Sequence, residues 1–159
     1  MAVRRPGGGW HDYMKRVGFL VAAFFVFSLF PISTALAQVP VRMRVIQASN
    51  VGQNVDSSLK DVHHELGSLF NFTSYRLLRE ENLRLSPNQP VTITAHPGRF
   101  MEVTLVGLQR DAAKLRIRVI REGKDILDTQ VRLSPGRTVL IGGPRHGEGV
   151  VIYALSARF

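Results

Sequence analysis

The sequence predicts a mainly β domain of the α+β class, an antiparallel β-sandwich or twisted meander sheet with one packed amphipathic helix. From Val91 to Phe159, short runs of alternating apolar and polar residues are separated by turn residues, as in half-buried strands joined as hairpins. Between Asp56 and Phe70, apolar residues recur instead at the spacing of one helix face. A basic and then apolar N-terminus precedes this domain and marks it for export.

Residues 1–37 are typical of a secretory signal peptide. Basic side chains precede a 14-residue uncharged apolar run, Val17–Phe30, and Ala35–Ala37 supplies the small residues that a signal peptidase recognises. A membrane span needs about 20 apolar residues, so we expect cleavage after Ala37. The alternative is an uncleaved anchor in the inner membrane, because the basic segment is long and contains Trp10 and Tyr13. The protein would then be a membrane-anchored structural subunit.

Residues 38–159 then form a single domain, long enough to bury about two-thirds of its unfolded surface. The chain has no cysteine, which excludes a disulfide framework, a thiolate metal site and a cysteine nucleophile. An exported domain without disulfides fits a bacterial envelope, so we expect a periplasmic or secreted protein. This domain carries 17 basic and 11 acidic side chains, and the excess is spread along the sequence rather than gathered in one block.

The first half of the domain supplies a strand and the helix. Val41–Ile46 alternates in polarity and predicts the first strand, with Val41, Met43 and Val45 directed inward. Asp56 is placed to cap a helix over Ser57–Phe70, in which Gly67 allows close approach to the sheet. The apolar stripe that should pack on the sheet consists of Leu59, Val62, Leu66, Leu69 and Phe70.

The remaining elements are predicted strands separated by turns. Phe72–Leu78 is followed by a polar turn, Arg79–Asn82, and by a short strand at Leu83 and Leu85. The later strands lie near Val91–Ala95, Met101–Leu105, Leu115–Arg121, Ile126–Leu133, Arg137–Gly142 and Val150–Ala157.

A basic strand face is the first candidate binding site. Because Leu115, Ile117 and Val119 are directed inward, their neighbours on the strand are directed outward. The predicted binding residues are Arg116, Arg118 and Arg132 on this face, together with Arg145 and His146 in the loop Gly142–Gly149. We expect this face to bind an envelope protein or an anionic envelope polymer. Nucleic acid is not an expected partner, and membrane contact is expected only through an uncleaved signal.

The loop Gly142–Gly149 is the second candidate. Its glycines are Gly142, Gly143, Gly147 and Gly149. Such a loop could cradle an anion, but phosphate-binding loops normally open a helix, and here a β-rich run follows. We therefore expect a hairpin connection whose glycines adopt positive φ, and which docks a partner.

Catalytic and metal-binding patterns are weak. No Gly-x-Ser-x-Gly motif is present, the adjacent His63 and His64 point about 100° apart on a helix, and the Glu80-Glu81 pair falls in a solvated turn. We therefore expect no enzyme, no cofactor and no metal. The alternative is a small envelope hydrolase that uses His146, Glu148 or His96.

The segment Leu133–Gly143 resembles the Gly-x-Thr-Val-hydrophobic-hydrophobic-Gly-Gly segment of bacterial secretins, the outer-membrane rings of secretion and pilus systems. The strand–helix–strand order from Val41 to Leu78 is also similar to their periplasmic ring-building domains. Pro144 stands where that family usually has leucine, and the similarity covers about eleven residues. The resemblance implies a periplasmic accessory of secretion machinery.

Overall fold

The computed structural model describes Gln38–Arg158, so the predicted signal peptide and its cleavage after Ala37 lie outside the described residues. Within this range, the chain forms two four-stranded antiparallel sheets that pack face to face as a β-sandwich. The predicted fold class is therefore confirmed. No helix among residues 38–158 is long and apolar enough to cross a membrane.

The strands are mostly longer than the sequence predicted. They are β1 (Val39–Ser49), β2 (Ser74–Leu85), β3 (Pro90–His96), β4 (Arg99–Gln109), β5 (Ala112–Arg121), β6 (Lys124–Leu133), β7 (Thr138–His146) and β8 (Gly149–Ala157). The first sheet has the order β2-β1-β8-β7, and the second is a meander in the order β3-β4-β5-β6. The first and last strands of the described chain are therefore neighbours.

The core lies between the two sheets and is built by alternation. Side chains of β1, β4, β5 and β8 that point inward are fully buried, whereas most of their neighbours along these strands are not. Each fully buried aliphatic side chain contributes roughly 1.5–3 kcal/mol, so this layer holds the sheets together. Its most buried members include Val41, Met43, Val45, Met101, Leu105, Leu115, Ile117, Val119, Tyr153 and Leu155.

A helical segment covers part of the outer face of the first sheet, so β1 and β8 are buried on both faces there. This packing of a helix on the sheet was predicted. The second apolar cluster consists of Ile46, Ala48, Leu59, Val62, Leu66, Tyr75, Ile152 and Ala154.

The predicted single helix Ser57–Phe70 is wrong in detail. A 3-10 helix, Ser57–Leu59, is capped by Asp56 as expected, and a turn then separates it from α1 (His63–Leu69). Because the helical phase is broken between them, Leu69 is 66% exposed. Gly67 is also exposed, so it does not serve close packing.

The predicted polar turn Arg79–Asn82 is also wrong, because β2 continues through it. Glu80 lies opposite Arg44 of β1, and the strand passes this region with a bulge. β2 is an edge strand, and the charged side chains of the predicted turn are paired: Glu80 with Arg42 at 2.8 Å and Arg79 with Glu81. The strand therefore continues through this polar segment because its charged side chains are paired.

Candidate anion-binding groove

Arg116 and Arg118 point outward from β5 on the second sheet, as the alternation predicted. Arg116 donates hydrogen bonds to Asp128 from Nε at 2.9 Å and from Nη2 at 2.6 Å. Arg118 donates to Asp125 and, at 3.0 Å, to Glu102. The hydrogen bonds from Arg116 lower the pKa of Asp128. Neighbouring carboxylates thus compensate both arginines, which leaves this part of the face without excess charge.

Arg132, the third predicted arginine of this face, lies near the end of β6. It pairs with Asp111 at 3.1 Å, but its side chain is 60% exposed, so water screens the pair. Lys114 lies opposite it on β5, beside a shallow hollow of about 340 Å³. The end of the second sheet therefore keeps a net positive charge, whereas its middle does not.

The stretch from Gly142 to Gly149 joins two antiparallel strands, as predicted, but its turn has only two residues and the strands extend into the predicted loop. β7 continues to His146, β8 begins at Gly149, and among the four glycines only Gly147 has a positive φ, 56°. An extended backbone points successive N–H groups in opposite directions. The stretch therefore forms no concave cradle for an anion.

Two of these glycines are required by close approach rather than by backbone conformation. A Cβ at Gly143 would lie 2.6 Å from Cε2 of Tyr153. A Cβ at Gly149 would overlap the carbonyl oxygen of Ala48 on β1. These glycines serve the packing of the first sheet.

Arg145 and His146, the other predicted binding residues, lie at the hairpin end of β7. The His146 ring packs edge-on against His96, with ring centroids 4.4 Å apart, and Arg99 donates to the carbonyl oxygen of Arg145 at 3.2 Å. Burial, together with the charges of His96 and Arg99, lowers the pKa of His146. Among residues 38–158, no group of three or more His, Cys, Asp or Glu side chains could hold a metal ion.

Where the helical segment does not cover it, the outer face of the first sheet is polar. Arg42 of β1 lies opposite Asn82 of β2 and Ser156 of β8, so these three side chains form one row across the sheet. Arg84 lies opposite Pro40, one row nearer the strand ends. Arginines from separate strands are thereby brought onto one surface.

A groove of about 440 Å³ opens over these rows. It is lined by Pro40, Val41, Arg42, Glu80, Asn82, Leu83, Arg84, Ser156 and Arg158. The volume is that of a site for a small ligand or for a few residues of an extended chain.

The charges of the groove are unbalanced. Glu80 is its one carboxylate among the lining residues and pairs with Arg42. No carboxylate of residues 38–158 lies within 4.0 Å of a guanidinium nitrogen of Arg84 or Arg158. In addition, Nε of Arg42 is buried and has no hydrogen-bond partner among the described residues. The groove therefore offers donors and positive charge to an anion.

The Arg44–Asp61 ion pair separates the groove from the apolar cluster. Arg44 follows the groove arginine Arg42 on the same face but is only 1% exposed. Its Nη1 and Nη2 donate to the two oxygens of Asp61 at 2.7 and 3.0 Å, and these hydrogen bonds lower the pKa of Asp61. The pair fastens the helical segment to the sheet, and Asp61 also lies 3.9 Å from Arg42, whereas no carboxylate of the described range pairs with Arg84 or Arg158.

The groove was not predicted from the sequence, although the sequence contains part of the signal. Alternation in Val41–Ile46 already directed Arg42 and Arg44 to the outer face. Arg84 belongs to a strand that was predicted to be short, so its place on the outer face was not predicted. Arg158 lies just after the last strand. Only the pairing of β1 with both β2 and β8 brings the three groove arginines together.

The fold and the site define an antiparallel β-sandwich domain with an arginine-lined groove on one outer face. Comparisons with protein-family models, with curated proteins and with solved structures find no match for the chain.

Proposed function

We propose that this is an exported, non-enzymatic binding domain of the bacterial envelope that captures an anionic group of a protein or polymer in its groove. One observation carries the proposal: Arg42, Arg84 and Arg158 surround a groove that contains a single carboxylate, Glu80. Residues 1–37, with their signal-peptide pattern, support export to the periplasm or beyond.

The chemistry of the lining residues suits carboxylate or phosphate groups. A guanidinium presents a planar fork of donors that matches either anion bidentately. Asn82 and Ser156 add neutral hydrogen-bonding groups in the same row as Arg42.

We also propose an accessory role in secretion machinery. Its support is the resemblance of Leu133–Gly143 to secretins. This segment contains the first part of β7, an edge strand of the first sheet. An edge strand can pair with a strand of another protein through its free backbone groups. Site-specific cross-linking from Thr138 in the envelope tests this role. If no secretion component is cross-linked, the result contradicts the role.

A titration of the full chain with poly-L-glutamate tests groove binding. We expect Arg84→Gln with Arg158→Gln to weaken binding at least about tenfold, because each charged hydrogen bond is worth roughly 1.5–3 kcal/mol. Arg145→Gln is the matched control, since Arg145 is an exposed arginine outside the groove. Equal affinity in the double variant and the control would contradict the proposal.

A further inference from the structure

We propose that the end of the sandwich where the described chain begins and ends docks on the surface of an anionic lipid bilayer. This inference deepens the proposed function, on which it rests for the groove arginines, and it names phospholipid headgroups as the source of the anions. The proposed partner of this surface is a membrane.

The strand pairing identifies this end of the molecule. In the first sheet, β1 begins beside the end of β2 and the end of β8, since Val39 pairs with Leu85 and Val41 pairs with Ala157. In the second sheet, the β4–β5 turn and the end of β6 lie at the same end, because short connections join β2 to β3 and β6 to β7.

Positive side chains gather there from both sheets. We define the basic end as the charged residues within three positions of these strand ends. The cations of the basic end are Arg42, Arg84, Arg110, Lys114, Arg132, Arg137 and Arg158. The one carboxylate within the same limit is Asp111.

The basic end therefore holds most of the excess charge of the domain. With Glu80, the partner of Arg42, included, it has seven of the 17 basic and two of the 11 acidic side chains of residues 38–159, a net charge of +5 out of +6. Folding thus concentrates a charge excess that is diffuse along the sequence. A concentrated cationic surface is attracted to anionic headgroups within about a Debye length of roughly 8–10 Å.

Most of these cations are exposed and uncompensated. Arg42 pairs with Glu80, and Arg132 pairs with Asp111. For Arg84, Arg110, Lys114, Arg137 and Arg158, no carboxylate of residues 38–158 lies within 4.0 Å. All five of these residues are exposed.

Two further observations favour a bilayer over an acidic protein. Leu108 and Val106, close to the end of β4, are exposed large apolar residues beside the basic end, at 45% and 37%. Apolar groups among cations suit the boundary between headgroups and acyl chains. In the alternative in which the signal stays uncleaved, the sequence also places the apolar run Val17–Phe30 in the membrane with eight residues between it and Val39, a stretch that can reach at most about 29 Å.

The chain has no cysteine, so a single introduced cysteine can report on docking. We would label Leu108→Cys in the full chain with an environment-sensitive dye and mix it with vesicles of phosphatidylglycerol or of phosphatidylcholine. Phe100→Cys is the matched control, because Phe100 is also exposed on β4 but lies at the opposite end. We expect a blue shift and quenching by brominated lipid for position 108 with phosphatidylglycerol only.

Charge reversal outside the groove then separates the two proposals. Arg110→Glu with Arg137→Glu leaves the groove lining intact, and we expect it to weaken vesicle docking at least about tenfold. Poly-L-glutamate binding without any lipid-dependent change at position 108 would overturn the membrane inference and leave groove binding standing. Lipid-dependent docking without poly-L-glutamate binding would support the inference and count against capture of soluble acidic partners.

Discussion

The two outer faces of the sandwich both carry rows of arginines, but they differ in what lies opposite each arginine. On the second sheet, Arg116 and Arg118 face carboxylates on adjacent strands. At the end of the first sheet, Arg84 faces Pro40, and no carboxylate of the described range pairs with it. The number of outward arginines is therefore a poor guide to where an anion binds, because cross-strand neighbours decide the net charge.

The largest loss of stability is expected when a glycine of the first sheet is replaced, and it should exceed the loss at a glycine of the second sheet. Gly149→Ala should lower the free energy of unfolding by about 3 kcal/mol or more, because its Cβ would overlap the Ala48 carbonyl group in the β1–β8 pairing. Gly107→Ala is the control in the second sheet, since its Cβ would meet only Lys114 Cβ at an ordinary 3.7 Å. Urea unfolding measures both, and equal losses would contradict this account of the first sheet.

A smaller loss of stability is expected when the aspartate is removed from either of two bidentate Arg–Asp pairs, one on each sheet. Asp61→Ala leaves the buried Arg44 guanidinium uncompensated and should cost about 2 kcal/mol, less than for a fully buried pair because Asp61 is half exposed. Asp128→Ala removes the partner of Arg116, which is itself about half exposed, so its loss should be much smaller. If thermal unfolding shows the reverse order, burial is not what distinguishes the faces.

The smallest effect concerns the end of the sandwich opposite the basic end. Because the pKa of His146 lies below its usual 6.5, the unfolded chain binds this proton more readily than the folded protein. Stability from this group is complete above about pH 6.5 and is lost as the pH falls through the folded pKa. We expect His146→Gln to flatten the decline in urea midpoint between pH 7.5 and 5.5. An unchanged slope would assign the decline to other groups.

Much of the fold follows from local pattern. Two-residue alternation identified β1, β5 and β6 and the inward direction of Leu115, Ile117 and Val119, because one buried face imposes that period. It failed at Arg79–Asn82, where an edge strand carries charges that are paired across to β1. It also missed the break between the 3-10 helix and α1, since the apolar spacing continues across the turn.

The candidate site was less accessible to prediction. The outward direction of Arg116, Arg118 and Arg132 was predictable, but their carboxylate partners depend on strand register. The groove is assembled from residues near positions 42, 84 and 158, which no local window contains. Its three arginines come together only because β1 pairs with both β2 and β8.

The most direct test is to map where an anion touches the folded protein. Amide chemical shifts would be followed by NMR while the protein is titrated with poly-L-glutamate. The largest changes should fall on Arg42, Asn82 and Ser156 in the groove, with little change at Arg116 and Arg118 in the middle of the second sheet. Changes centred on Arg116 and Arg118 would instead place recognition on the second sheet and contradict the central claim.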